Sequence, residues 1–269
     1  MRKQAAFLFA SAAITLVAAC SCVTYLSAGQ LGEDSIVPPP ILPSEGRGDQ
    51  TELLAAVSQA NGYFYQDDYN RMAQAGILRA WRRQEGDLNF DGHFAASGWY
   101  GQAKLNQHSS DQYIPSVANP FSFYGGTVQA EEGIADAAIK NFSLEPALRC
   151  SVAYEDGAYR AFRAEAAELS SNAEDSVIDR SASGWSGTAG LDLSATFGTT
   201  RNVVLRLGLL EALLFPDLET AFSNSGNSLR DYQTQGSIAI ETDGLCFSAA
   251  LNYTILNYGV AVSLGYILP

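Results

Sequence analysis

Basic side chains are scarce in this sequence of 269 residues. It contains 16 Lys and Arg against 29 Asp and Glu, which gives a formal net charge of −13. The acidic residues are spread along the whole chain, so no basic face is available to neutralise phosphate groups. The composition therefore argues against a nucleic-acid partner.

Cysteines and long apolar runs are also few. Of the four cysteines, Cys20 and Cys22 lie near the start, so Cys150 and Cys246 form the only disulfide pair available to the folded region. The longest apolar run covers residues 4–19, which is shorter than the roughly 20 residues that a membrane-spanning helix needs. Because this run follows a short basic start, it is typical of a secretory signal peptide.

The apolar run ends in Leu16-Val17-Ala18-Ala19-Cys20. This segment resembles the lipobox of bacterial lipoproteins, which implies that residues 1–19 are removed and that Cys20 carries a lipid. The residue after Cys20 is Ser21, which by the same resemblance does not look like an inner-membrane retention signal. The alternative is cleavage near residues 27–29 without lipidation. Residues 20–50, with three consecutive prolines at 38–40, are predicted to be a flexible tether.

Residues 51–92 have a different pattern. Leu53, Leu54, Val57 and Ala60 recur at helical spacing, and a similar pattern follows Asp67-Asp68. The pattern predicts a short helical segment of two helices. Residues 79, 82 and 83 are all Arg, which at the end of the second helix would complement its dipole. Alternatively, these residues would contact anionic lipid headgroups.

From residue 93 to residue 269 the apolar period becomes two, which predicts antiparallel β-strands with one apolar face. We expect eight or nine strands, starting near residues 95, 122, 143, 158, 184, 201, 230, 245 and 259. Long connections are expected after Leu105, Leu169 and Phe215. Tight turns are expected to pair residues of like character on facing strands. The predicted pairs are Ile240 with Phe247 across Asp243-Gly244, Cys150 with Phe162 across residues 155–157, and Leu193 with Leu205 across residues 198–200.

The polar face of these strands indicates where the apolar face points. It carries mainly Ser, Thr, Gly, Ala, Asn and Gln, and no lysine follows Lys140, whereas the surface of a soluble protein is rich in charge. Small polar residues suit the narrow interior of a closed barrel of about eight strands. The few charges of mixed sign would pair in its lumen. These predicted lumen charges are Glu145, Arg149, Arg163, Glu165, Asp192, Arg206 and Glu241.

Residues 95–268 resemble a small up-and-down outer-membrane β-barrel of bacteria. The alternation from Val260 to Leu268 is similar to the assembly signal of that class, although the chain ends in Leu268-Pro269 instead of an aromatic residue. The resemblance implies contact with membrane lipid and with the outer-membrane assembly machinery. It also implies interfacial aromatic girdles, for which the candidates are Trp99, Trp185, Tyr253, Tyr258 and Tyr266.

In this arrangement Cys150 faces lipid and Cys246 faces the lumen, on strands that are not neighbours, so no disulfide joins them. The alternative is a soluble β-barrel or sandwich, facing the periplasm or the cell surface, whose apolar interior binds a ligand. The lumen charges would either form a closed ion-pair network or line a narrow pore.

Three short segments contain residue types that occur in metal or catalytic sites. Residues 87–92 alternate oxygen ligands like a calcium loop, but Gly98 stands where an EF-hand has its bidentate Glu, so no metal or cofactor is predicted. His108 and Ser110 are similar in spacing to the active site of outer-membrane lipid A deacylases, but Asp111 replaces the Asn of that pattern. His93 has no companion ligand. The sequence therefore predicts a lipid-anchored, non-enzymatic outer-membrane barrel.

Overall fold

The computed structural model of the protein describes residues 49–62, 69–85, 88–104, 120–135, 142–170, 184–198, 203–215, 231–254 and 257–268. Within these ranges, ten antiparallel strands form a closed barrel. The strands are β1 (Asp49–Gly62), β2 (Tyr69–Glu85), β3 (Leu88–Lys104), β4 (Phe121–Ala135), β5 (Phe142–Asp156), β6 (Trp185–Gly198), β7 (Val203–Phe215), β8 (Asp231–Thr242), β9 (Leu245–Thr254) and β10 (Asn257–Leu268).

Each strand pairs with the next one in the chain, and β10 closes the barrel by pairing with β1. The prediction of an up-and-down antiparallel barrel is confirmed, but about eight strands was too few. Three long connections, residues 105–120, 157–184 and 216–230, join strands at the same end of the barrel, here called the long-loop end. The opposite end, called the short-turn end, holds the start of β1 and the end of β10.

The predicted helices within residues 51–92 are wrong, because this region forms β1, β2 and the start of β3. Leu53 and Val57 point outward from β1, whereas Leu54 and Ala60 are buried on its inward face. Apolar residues on both faces of one strand reproduce the three- and four-residue spacing of an amphipathic helix. The inward apolar residues belong to a small cluster in which Leu54 contacts side chains of β2 and β3.

The strand predicted near residue 158 is also wrong, and so is its pairing of Cys150 with Phe162. Residues Ala158–Ser170 form a helix, α1, after Gly157, whose φ of 121° interrupts the extended chain. Alanine-rich sequence favours a helix, and Tyr159 and Phe162 lie three residues apart on its buried side. No helix in the described ranges combines the length and apolar character needed to cross a bilayer.

The other two predicted turns have different outcomes. Across Asp243-Gly244, both residues with positive φ, Ile240 pairs with Phe247 as predicted. Between β6 and β7, Leu205 pairs with Phe197 instead of Leu193, so the predicted register was wrong by four residues. Because four is an even number, every side chain keeps its predicted face.

Candidate functional site: an apolar wall around an occupied lumen

The outward faces of the strands form an apolar wall. Leu191, Phe247 and Val262 are 64%, 50% and 47% exposed, and thirty large apolar side chains in the described residues are exposed in this way. Single exposed apolar residues are ordinary on soluble proteins, whereas a continuous apolar surface is not. The wall therefore needs an apolar environment, and the apolar faces point away from the barrel axis, as the sequence indicated.

Aromatic side chains mark both ends of this wall. Outward aromatic residues near the long-loop end include Tyr69, Tyr100, Tyr124, Tyr154, Trp185, Phe215, Tyr232, Tyr253 and Tyr258, and those near the short-turn end include Phe197, Phe247 and Tyr266. Trp185, Tyr253, Tyr258 and Tyr266 thus face outward as predicted. Trp99 does not, because it points into the lumen, where its Nε1 donates to Thr127 Oγ1 at 3.1 Å.

Charged residues on the outward faces lie towards the strand ends. The outward charges near the short-turn end include Asp49, Arg79, Arg83, Glu85 and Glu132, and those near the long-loop end include Arg71, Lys104, Asp156 and Glu211. Arg79 Nη2 donates to Asp49 Oδ2 at 2.8 Å. The middle of the described wall is left without charge.

The middle of the lumen is crossed by an ion-pair network centred on Arg149 of β5. Its Nε lies 2.6 Å from Glu131 Oε2 on β4, and its Nη2 pairs with Asp192 of β6. Arg206 of β7 reaches the same two carboxylates, at 3.3 Å and 3.6 Å. Two cations and two anions therefore compensate one another in a site from which bulk water is largely excluded, which is the condition for holding buried charge.

Hydrogen bonds extend this network across the barrel. Arg149 Nη1 donates to Gln235 Oε1 on β8 at 3.1 Å, although two strands separate β5 from β8. Gln235 Nε2 in turn donates to Asn252 Oδ1 on β9 at 2.7 Å. Side chains from strands that are not neighbours thus meet inside the barrel, and the network extends from β4 to β9 at this level.

His93 joins the network from β3. Its Nε2 is in hydrogen-bond contact with Gln129 Nε2 at 2.8 Å, and its Nδ1 lies 3.7 Å from Glu131 Oε1. The side chain is buried, with an amide on one side and a carboxylate on the other. His93 therefore belongs to the packed polar interior, and no metal-ligating group of three or more His, Cys, Asp or Glu occurs in the described residues.

A second inward cluster lies nearer the short-turn end. Arg82 pairs with Asp91, and its Nη2 also lies 3.5 Å from Glu145 Oε1. Asp91 belongs to the segment that resembled a calcium loop. Its carboxylate, which a metal ion would need as a ligand, is paired with Arg82 instead. Arg82 points inward while Arg83 points outward, because β2 is a strand and not a helix end.

The first residues of helix α1 pack inside the barrel at the long-loop end. Tyr159 and Phe162 pack on the inward faces of β2, β3 and β4, where Phe162 stacks on Phe121 with ring centroids 4.6 Å apart. Arg163 Nη2 donates to Glu155 Oε1 at 2.5 Å, and these side chains are 1% and 0% exposed. A helix that carries a buried aromatic pair and a buried ion pair is docked into the mouth of the barrel.

The predicted lumen charges are thus distributed over different elements. Glu145, Arg149, Asp192, Arg206 and Glu241 lie on inward strand faces and are buried. Arg163 is also buried, but it lies on α1 and not on a strand. Glu165 likewise lies on α1, and its side chain falls outside the described residues, as do Cys20, His108 and Ser110 in full.

Sequence reasoning missed Glu131, one of the two acids that both central arginines contact, and Gln235, which joins β8 to this network. Glu131 pairs directly with Arg149 in the β4–β5 register, so a correct strand pairing would have found it. No such signal exists for Gln235, because it lies 86 residues from Arg149 in the chain and meets it only across the barrel. Cys150 is exposed on the outer wall and Cys246 is buried inside, and both thiols are free.

Comparison with known proteins gives structural similarity only. No protein-family model and no curated protein matches the sequence. The translocator domain of the autotransporter NalP from Neisseria meningitidis is 11% identical, with 82% of this chain and 89% of that chain covered and a TM-score of 0.38. The β-domain of the Bordetella autotransporter BrkA is 8% identical (82% and 98% covered, TM-score 0.43), and an outer-membrane channel from Pseudomonas putida F1 is 8% identical (87% and 100% covered, TM-score 0.42).

Proposed function

We propose that this protein is an outer-membrane β-barrel of a bacterial envelope, anchored additionally by a lipid on Cys20. The observation that carries the proposal is the reversal of the usual soluble pattern, with apolar side chains on the outer wall and charged side chains inside. A closed barrel leaves no unpaired strand edge, which is what the hydrocarbon core demands of a spanning sheet. Aromatic residues at both ends of an uncharged belt suit the two membrane–water interfaces.

Within the membrane, the role that fits is structural or that of a narrow pore which is closed at rest. The ion-pair network centred on Arg149 and the hydrogen bond from Arg149 to Gln235 occupy the middle of the lumen, and α1 occupies its mouth. A solute larger than water or a small ion would have to displace both. The proposal includes no catalysis, and it includes insertion by the outer-membrane assembly machinery.

The soluble alternative requires the apolar side chains to pack in a dry centre. The interior instead holds Arg149, Asp192 and Gln235, while Leu191 and Val262 are on the outside. A soluble ligand-binding barrel with this surface would aggregate. For this reason we do not propose that function.

Selective thiol labelling in intact membranes tests the orientation of the wall. In a full-length Cys22→Ser variant, a maleimide confined to the lipid phase should label Cys150 and leave Cys246 unmodified, and labelling should disappear in the added Cys150→Ser variant. The same protein should need detergent and should migrate faster on gels before heating than after it. Labelling of Cys246 alone, or a stable monomer in plain buffer, would overturn the proposal.

The anchor and the pore are tested separately. Incorporation of labelled palmitate should be lost in Cys20→Ser and retained in Cys22→Ser. In planar bilayers the purified protein should show small or no conductance. A large, permanently open conductance would contradict the closed lumen but would leave the membrane location intact.

A further inference from the structure

The outer wall has a groove near the long-loop end, on the outward faces of the adjacent strands β10, β1, β2 and β3. It has a volume of about 540 Å³. Its floor contains Ala73, which lies between Val57 and Tyr100 in the strand register, and Val262 extends the side formed by Val57. A short side chain between longer ones produces the depression.

The floor of the groove continues towards the middle of the wall as a row of small residues. Ala55 pairs with Ala75, Ala75 with Gly98, and Gly98 with Gly126, on four successive strands. None of these residues adds more than a methyl group to the outward surface. The row is therefore a shallow apolar trough within a wall that otherwise carries Leu, Val, Ile and aromatic side chains.

The opposite side of the groove, towards the long-loop end, is polar and positively charged. Arg71 lines the groove, and its Nε donates to Gln59 Oε1 at 3.0 Å, while Gln59 Nε2 donates to Asn61 Oδ1 at 3.2 Å. The guanidinium carbon of Arg71 lies 4.5 Å from the centre of the Tyr69 ring, and Lys104 Nζ lies 5.9 Å from it. Arg71 and Lys104 thus both lie close to the Tyr69 ring, at the edge of the groove nearer the long-loop end.

These two cations have no ion-pair partner in the described part of the chain, unlike Arg79 at the short-turn end, which pairs with Asp49 at 2.8 Å. Among the side chains that the structure describes, the outward acids at the long-loop end are Asp156 and Glu211, which lie on β5 and β7, away from the groove. A guanidinium and an ammonium group that contact the same aromatic ring are both suitable partners for phosphate oxygens. The charge at this edge is therefore complementary to an anionic headgroup.

We infer that the groove binds a phospholipid of net negative charge from the leaflet that surrounds the long-loop end, with the phosphate at Arg71 and Lys104 and an acyl chain over Ala73 and the small-residue trough. This inference rests on the proposed membrane location. An occupant must be anionic at one end and apolar along its length, because the groove opens from a charged rim into an uncharged belt. A phospholipid of net negative charge meets both conditions, whereas free phosphate meets only the first and a zwitterionic phospholipid only the second.

The test uses the full-length protein in neutral detergent, with native mass spectrometry to count retained lipids. The probes are phosphatidylglycerol, phosphatidylcholine with the same acyl chains, and inorganic phosphate. We expect retention of phosphatidylglycerol over phosphatidylcholine. Arg71→Gln with Lys104→Gln should weaken phosphatidylglycerol binding by about tenfold, equivalent to about 1.4 kcal/mol.

The matched charge control is Arg79→Gln with Arg83→Gln, which removes two outward cations at the other end and should leave the affinity unchanged. Filling the groove by Ala73→Phe should weaken binding by a similar factor, whereas Ala189→Phe on the outward face of β6 should not. Equal loss in test and control variants would refute the site. Retention of inorganic phosphate as tight as that of phosphatidylglycerol would refute the lipid assignment.

Failure of this inference is distinguishable from failure of the proposed function. If phosphatidylglycerol shows no preference but Cys150 is labelled from the lipid phase, the groove is ordinary wall and the barrel still spans a membrane. If the protein is stable without detergent and Cys150 is not labelled, the membrane location itself is wrong, and the groove falls with it.

Discussion

An arginine placed in the middle of the outer wall distinguishes a membrane barrel from a soluble one. Ile238 lies on the outward face of β8 and is 40% exposed, and its cross-strand partners are Leu207 and Ala249. Neither partner can pair with a new cation. We predict that Ile238→Arg destabilises the protein strongly in lipid vesicles, whereas Thr242→Arg, four residues further along the same face, has little effect.

The magnitude follows from depth. Four residues of strand cover about 13 Å, which becomes about 10 Å along the membrane normal for a strand tilted by about 40°. Arginine on the lipid face costs roughly 2–4 kcal/mol at the midplane and roughly 0–1 kcal/mol near the interface. On a solvated surface, the same two substitutions would each change the free energy of unfolding by about 0.5 kcal/mol or less.

The assay is reversible unfolding by denaturant in lipid vesicles, followed by the fluorescence of the three tryptophans. Ile238→Ala is the control for loss of the isoleucine side chain without added charge. The prediction is that Ile238→Arg lowers the free energy of unfolding by about 2 kcal/mol more than Thr242→Arg does. Equal and small effects of both arginines would show that the wall faces water, and the membrane location would have to be abandoned.

Three further predictions concern the lumen and the chemistry. Arg149→Ala should lower the free energy of unfolding by about 3–5 kcal/mol, because it leaves two buried carboxylates, Glu131 and Asp192, with Arg206 as their remaining cation. Arg160→Ala on the partly exposed side of α1 should cost less than about 1 kcal/mol. Equal effects of the two substitutions would contradict a buried network. Phe162→Ala should loosen α1 and raise the single-channel conductance in planar bilayers, whereas Phe247→Ala on the outer wall should leave the conductance unchanged. An unchanged conductance for Phe162→Ala would argue that α1 does not close the mouth of the barrel. The His108→Ala variant should release as much fatty acid from phospholipid or lipid A as the unaltered protein does. A lower release by the variant would support the enzymatic hypothesis.

The sequence predicted strands β3 to β10 better than β1 and β2. The exception in this region is α1, which the sequence pattern predicted to be a strand. On β9 and β10 every outward residue is apolar or aromatic and most inward residues are small or polar, so the two-residue period is unambiguous. On β1 the inward face carries Leu54 as well as Glu52, because a local apolar cluster fills the lumen there. The alternation is lost at such positions, and a helix was the wrong interpretation.

Helix α1 was missed for a related reason. The residue pattern around Tyr159 and Phe162 also fits a strand that would pair with β5. The helix is favoured because the rings of Tyr159 and Phe162 pack into a space at the mouth of the barrel. This space is bounded by Phe121 and Phe123. That space exists only after β2, β3 and β4 have come together.

The sequence predicts only part of the candidate site, because the contacts within the site also form only after the strands have come together. Alternation alone indicates that Arg149, Asp192 and Arg206 point into the barrel. It does not indicate which of them meet, since pairing across the lumen depends on how many strands close the ring.

The amino-acid pattern by itself determined which side of each regular strand is apolar and, from the scarcity of charge on the other side, that the apolar side faces out. Side-chain direction in a strand is a local property with a period of two residues, so it can be read from neighbours in the chain. Only the tertiary structure decided the number of strands, the closure of β10 onto β1, the docking of α1 and the meeting of Arg149 with Gln235. These features join residues that are distant in sequence, and they arise only when the sheet closes.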